Sequence, residues 1–291
     1  MKTSHQALVC AAVAVLSWST VATAFKLALQ QLTYFELIVI ASLTALLLFG
    51  LTLTVRHQWP LVARLSRRQW GRFAFLGLLN PVCYYLVLFR SYELLPAQVA
   101  QPVNYAWPIV LLLLLALFGH QPIPRSKYGG MAVSLAGVAL ISAGTGGTSG
   151  LSVSVTGLLL ALLSAFLWAL YWMMTNRREA TVDGTVSLFM TFLFGSLYLL
   201  AATAVVGLHT PTLTGWLSGI YVGCFEMGIP FLCFGLAIRT TDNPTLVNQL
   251  CYLSPFLSLF FIGIVLGEPI AVTTYIGLLL IVGGLLLNRH H

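Results

Sequence analysis

Residues 35–55 read FELIVIASLTALLLFGLTLTV. Those 21 positions carry one charged side chain, Glu36, close to the amino end. An α-helix rises 1.5 Å per residue, so about 20 apolar residues cross the hydrocarbon core of a bilayer. A barrel strand would instead alternate apolar and polar residues over about ten positions. Nothing in the run alternates, so it reads as a membrane-spanning helix.

Working outward, runs of the same kind occupy 7–29, 35–55, 70–90, 97–118, 127–143, 154–175, 185–207, 214–237, 245–266 and 271–287. Ten such spans consume about 200 residues and leave no room for a soluble domain. The composition agrees. Hydrophobic residues make up 59% of the 291 and charged residues 7%, against the roughly 25% charged of a soluble domain. Mean hydropathy is +0.93. A soluble enzyme, a disordered chain and a disulfide scaffold are excluded. The longest connection runs from Arg56 to Gln69, and Gly144–Gly150 (GTGGTSG) reads as a flexible linker.

The net charge of +7 sits in short gaps between apolar runs, which is a topology signal and not a nucleic-acid surface. With the amino terminus inside, the inside gaps hold Lys2, Arg56, Arg64, Arg67, Arg68, Arg72, Arg125, Lys127, Arg177, Arg178, Arg239 and Arg289. The outside gaps hold Lys26 and Arg90. Lys and Arg stay on the cytoplasmic side, so both termini are expected there. Lys2 ahead of an apolar run, with Ala22-Thr23-Ala24 behind it, has the outline of a signal peptide. The repeat described next needs that helix to remain.

Shifting the chain by 147 residues places Ala14-x-Leu16-Ser17 on Ala161-x-Leu163-Ser164 and Glu36 on Asp183. The same shift brings Tyr105 onto Tyr252, Pro108 onto Pro255, Pro122-Ile123 onto Pro269-Ile270, Tyr128 onto Tyr275, Gly130 onto Gly277 and Gly137 onto Gly284. A local shift of 149 places Pro81 on Pro230, Arg90 on Arg239 and Glu93 on Asp242. Matched Pro, Tyr, Arg and acid positions indicate two copies of one unit, 1–146 and 147–291. Each copy has five spans, an odd number, so the copies lie in opposite orientations. Inverted repeats of this kind build transporters.

The stretch Tyr252-Leu253-Ser254-Pro255-Phe256, then Leu266-Gly267-Glu268-Pro269, Tyr275-Ile276-Gly277 and Gly283-Gly284, resembles the drug/metabolite transporter superfamily, EamA type. The first half repeats it as Tyr105-Ala106-Trp107-Pro108, Gln121-Pro122-Ile123, Tyr128, Gly130 and Gly137, with Gln121 where Glu268 stands in the second. The resemblance implies an all-α fold in which spans 1–4 and 6–9 surround a central cavity while spans 5 and 10 pack peripherally. It also implies a secondary transporter of the bacterial inner membrane that exports aromatic and neutral amino acids and related metabolites by alternating access. No cofactor is implied. The partners are a small-molecule substrate and the lipid bilayer, and monomer and dimer both stay open.

The residues add detail. Transporters hold solute near the midplane, where broken helices expose backbone groups, and proline marks such breaks. Pro81 and Pro230 fall in spans 3 and 8, and Pro102, Pro108 and Pro255 in spans 4 and 9. The repeat-matched set of Pro81, Pro108, Pro230 and Pro255 is the expected gating set. Polar and aromatic side chains cluster near them, and span 3 offers Asn80, Tyr84 and Tyr85. Expected substrate contacts are Trp18 on span 1, Tyr84 on span 3, and Gln101, Tyr105 and Trp107 on span 4. The second half supplies Trp168 and Tyr171 on span 6, Glu226 on span 8, and Asn248 and Tyr252 on span 9. Glu226 lies at mid-span, four residues before Pro230. A carboxylate there is costly and faces a cavity or a partner. It either binds a substrate amine, carries a coupling proton, or stands protonated between helices.

At a spacing of three, Arg90 with Glu93 and Arg239 with Asp242 are expected to pair at helix ends. Glu268-Pro269 is expected to cap the start of span 10. Gly130, Ser134 and Gly137 share a face of span 5, as Gly277 and Gly284 do on span 10. Small faces admit close helix approach, either within one chain or across a dimer. The five cysteines lie in apolar spans without metal-ligand spacing, and the six histidines form no ligand set. His290-His291 has the form of a tag remnant. No phosphate-binding loop, zinc-protease or serine-hydrolase motif occurs, so no catalytic residue is assigned. Two other readings remain. One is the same fold moving a quaternary ammonium drug, a sugar conjugate or a vitamin. The other is a non-transporting scaffold, which leaves the paired prolines unexplained.

Overall fold

The computed structural model describes residues 5–118, 123, 125–144, 154–175 and 182–287. Lys2, Gln121, Pro122, 145–150 of the expected linker, Arg177, Arg178, Arg289, His290 and His291 lie outside them. The described residues are mostly helical, with no strand among them. Fifteen α-helices follow in order: α1 (His5–Leu29), α2 (Tyr34–Val55), α3 (Trp59–Ala63), α4 (Arg67–Gly77), α5 (Tyr84–Leu94), α6 (Ala97–Asn104), α7 (Trp107–Phe118), α8 (Arg125–Gly144), α9 (Val155–Thr175), α10 (Gly184–Val206), α11 (Leu213–Val222), α12 (Ile229–Thr240), α13 (Pro244–Leu250), α14 (Leu253–Val265) and α15 (Val272–Leu287). Two π-helical segments, Leu78–Cys83 and Gly223–Gly228, join α4 to α5 and α11 to α12.

Among the described residues, eight stretches are long and apolar enough to cross a membrane: His5–Leu29, Tyr34–Val55, Arg67–Leu94, Ala97–Phe118, Val155–Thr175, Gly184–Val206, Leu213–Thr240 and Leu246–Val265. Each falls on an expected span. The widest departure is the end of the third, expected at 90 and found at Leu94. The expected fifth and tenth spans fall on two shorter apolar helices, Lys127–Ser142 and Val272–Leu287.

The chain divides into two compact units, residues 1–86 with 180–258 and residues 87–179 with 259–291. Each draws on both halves of the sequence, and of the three boundaries two fall inside α5 and inside α14 and the third between 179 and 180.

In the first unit, α1 packs on α12, with Ala11 against Ala237. Ala7, Ala11 and Ala14, spaced four and three apart, are fully buried. In a bilayer, lipid is as apolar as a leucine side chain, so close backbone approach and hydrogen bonds hold helices together. The same logic governs α10 against α4, α2 and the π-helical segment Leu78–Cys83. A side chain at Gly195 would meet Pro81 Cδ at 2.5 Å, and one at Gly77 would meet the Thr191 carbonyl at 2.6 Å. Ser42 and Ser196 share a buried hydrogen bond of 3.1 Å between α2 and α10.

The starts of these helices are fixed by side chains. Thr33 and Glu36 form a reciprocal capping box on α2, and Glu36 Oε1 also accepts from the His209 backbone N–H at 2.9 Å. Asp183, which the 147-residue shift places on Glu36, caps α10 by accepting from Thr185 N at 2.8 Å.

In the second unit, α8 and α15 pack on each other through the glycine faces noted in the sequence. Added side chains at Gly137 and Gly277 would collide with each other's carbonyl oxygens. Ser134 Oγ donates to the Ile281 carbonyl at 2.9 Å. The small-residue faces are therefore satisfied within one chain. Helices α6 and α7 pack on α9, with Leu114, Ala169 and Met173 buried between α7 and α9.

Candidate substrate-binding site

The sequence-predicted site residues fall into groups within the two units. In the first unit the centre is Glu226, in the π-helical segment Gly223–Gly228. Pro230, four residues on, has no N–H to give the Glu226 carbonyl. The indole N–H of Trp18 on α1 donates to that carbonyl at 3.3 Å. The Trp18 ring also lies 5.6 Å from Phe234 and 6.2 Å from Phe231. Trp18 is thus a brace on the span-8 break as well as a ring at the site.

Glu226 is 8% exposed, and its carboxyl group accepts from the Tyr85 hydroxyl, through Oε1, at 3.0 Å. Tyr85 is fully buried and lies edge-to-face with Tyr84, centroids 4.6 Å apart. Tyr84 is the expected span-3 contact, and its neighbour Tyr85 is the residue that holds the carboxyl group. Both stood beside the Pro81 break, and side-chain direction on the helix decides between them. Asn80, at that break, has extended backbone angles of φ −142° and ψ 121°. It is fully buried, and among the described residues neither polar atom of its side chain has a hydrogen-bond partner.

In the second unit an aromatic cluster joins α7 to α9. Trp107 and Trp172 stack with centroids 6.1 Å apart, Trp168 stacks on Tyr171 at 5.6 Å, and Trp168 meets Trp172 edge-on at 6.3 Å. Asn104 donates to Ser164 Oγ at 2.8 Å and so ties α6 to α9. One turn before Asn104, Gln101 is buried, and its Oε1 has no hydrogen-bond partner among the described residues. Asn248 on α13 and Tyr252 are half-buried and belong to the first unit.

All four proline-bearing spans are interrupted. Span 4 breaks between α6 and α7 at Tyr105-Ala106, and span 9 breaks between α13 and α14 at Cys251-Tyr252. Pro108, Pro230 and Pro255 then sit in the first turn of α7, α12 and α14, where a missing N–H costs nothing. Pro81 lies inside the first π-helical segment. Pro102 does not interrupt α6, contrary to the expected kink.

Two expected electrostatic pairings are corrected. Arg90 and Glu93 pair as expected, within α5. Arg239 does not pair with Asp242. Helix α12 ends at Thr240 and Thr241 is extended, so the three-residue helical spacing is lost. Arg239 meets Asp183 Oδ2 at 3.2 Å instead. Glu268 does not cap the start of span 10. Its carboxylate accepts from Ala97 N at 3.2 Å and Gln98 N at 3.5 Å, at the start of α6. Gln98 returns the service. Its Oε1 accepts from Ala271 N at 3.0 Å and Thr274 Oγ1 at 3.2 Å, and its Nε2 donates to the Pro269 carbonyl at 2.9 Å. Gln98 is thereby structural.

Among the described residues no group of His, Cys, Asp and Glu is arranged to hold a metal ion. Apolar helices with paired interruptions, each interruption flanked by aromatic rings, define a multi-pass membrane protein of the transporter class. The EamA-like transporter family model matches residues 5–143 and again 155–289. The chain belongs to that family, within the drug/metabolite transporter superfamily.

Its relatives include the uncharacterized transporter YvbV of Bacillus subtilis, 27% identical over 81% of this chain and 77% of that protein. The aromatic amino acid exporter YddG of Salmonella typhimurium is 26% identical over 76% of this chain and 78% of the exporter. YddG of Escherichia coli is 26% identical over 64% of each chain. A solved crystal structure, 24% identical, matches with a TM-score of 0.68 over 98% of both chains and shares the fold.

Proposed function

We propose that the protein is a secondary transporter of a bacterial inner membrane that exports aromatic and neutral amino acids and related small metabolites by alternating access. Its ten spans are two inverted five-helix copies, 1–146 and 147–291, and both termini are cytoplasmic. One observation carries the reading. The spans that the repeat pairs are interrupted in pairs, spans 3 with 8 by π-helical segments and spans 4 with 9 at Tyr105 and Tyr252. In inverted copies, one kind of break serves as a hinge on each face of the membrane. Pro81, Pro108, Pro230 and Pro255 are the hinge residues.

The candidate contact residues of the first unit, taken by itself, are Trp18, Tyr84, Glu226, Asn248 and Tyr252, and those of the second unit are Gln101, Tyr105, Trp107, Trp168 and Tyr171. Ring faces suit an aromatic side chain. The similarity to aromatic amino acid exporters supports the substrate class. The test is uptake of labelled amino acids into liposomes carrying the purified protein, with and without a pH gradient. Uptake competed by several aromatic and neutral amino acids is the expected result. Flux of another metabolite class alone would overturn the substrate assignment, and no flux of any solute by folded protein would overturn the transporter reading.

A further inference from the structure

We propose that Glu226 Oε2 is the seat of a primary ammonium group, that Tyr85 is the residue that positions it, and that decarboxylated aromatic amines therefore share the site with amino acids. The inference rests on the transporter reading and narrows its substrate class: recognition is through the amine end.

The two carboxylate oxygens of Glu226 differ. Oε1 accepts the Tyr85 hydroxyl at 3.0 Å. Oε2 carries no hydrogen bond or ion pair among the described residues and, unlike the Asn80 amide and Gln101 Oε1, is not fully enclosed, so it keeps accessible surface although the residue is only 8% exposed. A carboxylate held inside a membrane span with an unmet oxygen is expensive, and an arriving cation removes much of that expense. Because Tyr85 is fully buried and itself in contact with Tyr84, the Oε1 bond fixes the carboxyl plane and hence the direction of Oε2. The main chain at Glu226 is fixed independently by Trp18.

The surroundings select the cation. A metal ion would need several more oxygen ligands, and no metal-holding group is present among the described residues. A quaternary ammonium has no N–H for the open lone pairs of Oε2, whereas a primary ammonium has three. Trp18, Phe231, Phe234 and Tyr84 supply ring surface to the same neighbourhood, which suits an ammonium carried on an apolar body. The basic residue of Leu213–Thr240, Arg239, lies in the last turn of α12 and is engaged with Asp183. A solute carboxylate therefore finds no free cationic partner along Leu213–Thr240 itself, whereas an ammonium finds Oε2.

The test is calorimetric binding to the purified full-length chain, with phenylalanine, phenethylamine and 3-phenylpropionate as probes. Phenethylamine is expected to bind about as well as phenylalanine, and 3-phenylpropionate at least tenfold more weakly. Tyr85→Phe keeps the ring and removes the hydroxyl. It should weaken phenylalanine and phenethylamine by roughly tenfold, about 1.4 kcal/mol, and leave 3-phenylpropionate unchanged, an asymmetry that a general packing defect does not produce. Glu226→Gln should abolish the preference for the amine, and should that variant fail to fold, Tyr85→Phe decides. Equal binding of acid and amine by the unaltered protein, or an equal loss for both in Tyr85→Phe, overturns the inference. Since binding is read without flux, amine binding accompanied by no transport would count against the transporter reading and support this one.

Discussion

Replacing Gln98 should destabilise the protein without touching any residue proposed to contact substrate. Its side chain is fully buried and makes three hydrogen bonds, to the Pro269 carbonyl at 2.9 Å, from Ala271 N at 3.0 Å and from Thr274 Oγ1 at 3.2 Å. Gln98→Met keeps the volume and removes all three. Hydrogen bonds between membrane helices are worth about 0.6 kcal/mol each, which sets a lower figure of roughly 2 kcal/mol for three. Leaving a buried N–H or hydroxyl unmet costs about 1–3 kcal/mol apiece, so the true loss lies at or above that figure. Gln98→Ala adds the cavity left by the missing methylenes, about 1 kcal/mol more. The assay is unfolding of the purified protein in mixed detergent with rising dodecyl sulfate, followed by circular dichroism. Glu268→Gln should be coupled to Gln98→Met by more than about 0.5 kcal/mol in a double-mutant cycle, since both hold the same loop to the same helix start. A Gln98→Met protein within about 0.5 kcal/mol of the unaltered one would refute the reciprocal cap.

Three further outcomes are expected. Glu226→Gln should abolish or retune transport while the protein still folds, and uptake unchanged in both rate and pH dependence would show that the carboxyl group is only structural. Gly277→Ala forces α8 and α15 apart, because its new Cβ would lie 2.7 Å from the Gly137 carbonyl. The expected overpacking loss of about 1–3 kcal/mol is read as a lower detergent-unfolding midpoint, and an unmoved midpoint would mean that the helices do not meet there. Arg239→Gln should lower stability by less than about 1 kcal/mol, an effect that shrinks as salt is added, whereas Asp242→Asn should change nothing. The reverse order in an unfolding titration would restore the pairing read from spacing.

Helical membrane character, the bounds of the spans and, Pro102 apart, the positions of the interruptions are legible in the residues alone. Each is local. A run of apolar residues either is or is not long enough to cross a bilayer, and a proline lacks its N–H wherever the chain goes. The repeat comparison also drew attention to Glu36 with Asp183 and to Tyr105 with Tyr252, and the structure uses the first pair as helix caps and puts the second at helix breaks.

What only the tertiary structure decided is partnership. Trp18 meets the Glu226 carbonyl across 208 positions, Tyr85 meets its carboxyl group across 141, and Glu268 meets Ala97 across 171. Spacing along a helix states which side chains share a face, but not what stands opposite that face. For Arg239 and Glu268, whose partners local spacing misnames, a helix that ends at Thr240, two residues before Asp242, and a loop that returns to a different helix start redirect the charge. In a membrane interior, where every polar group must find a partner inside the protein, those long-range choices decide which groups are already satisfied and which, like Glu226 Oε2, remain open.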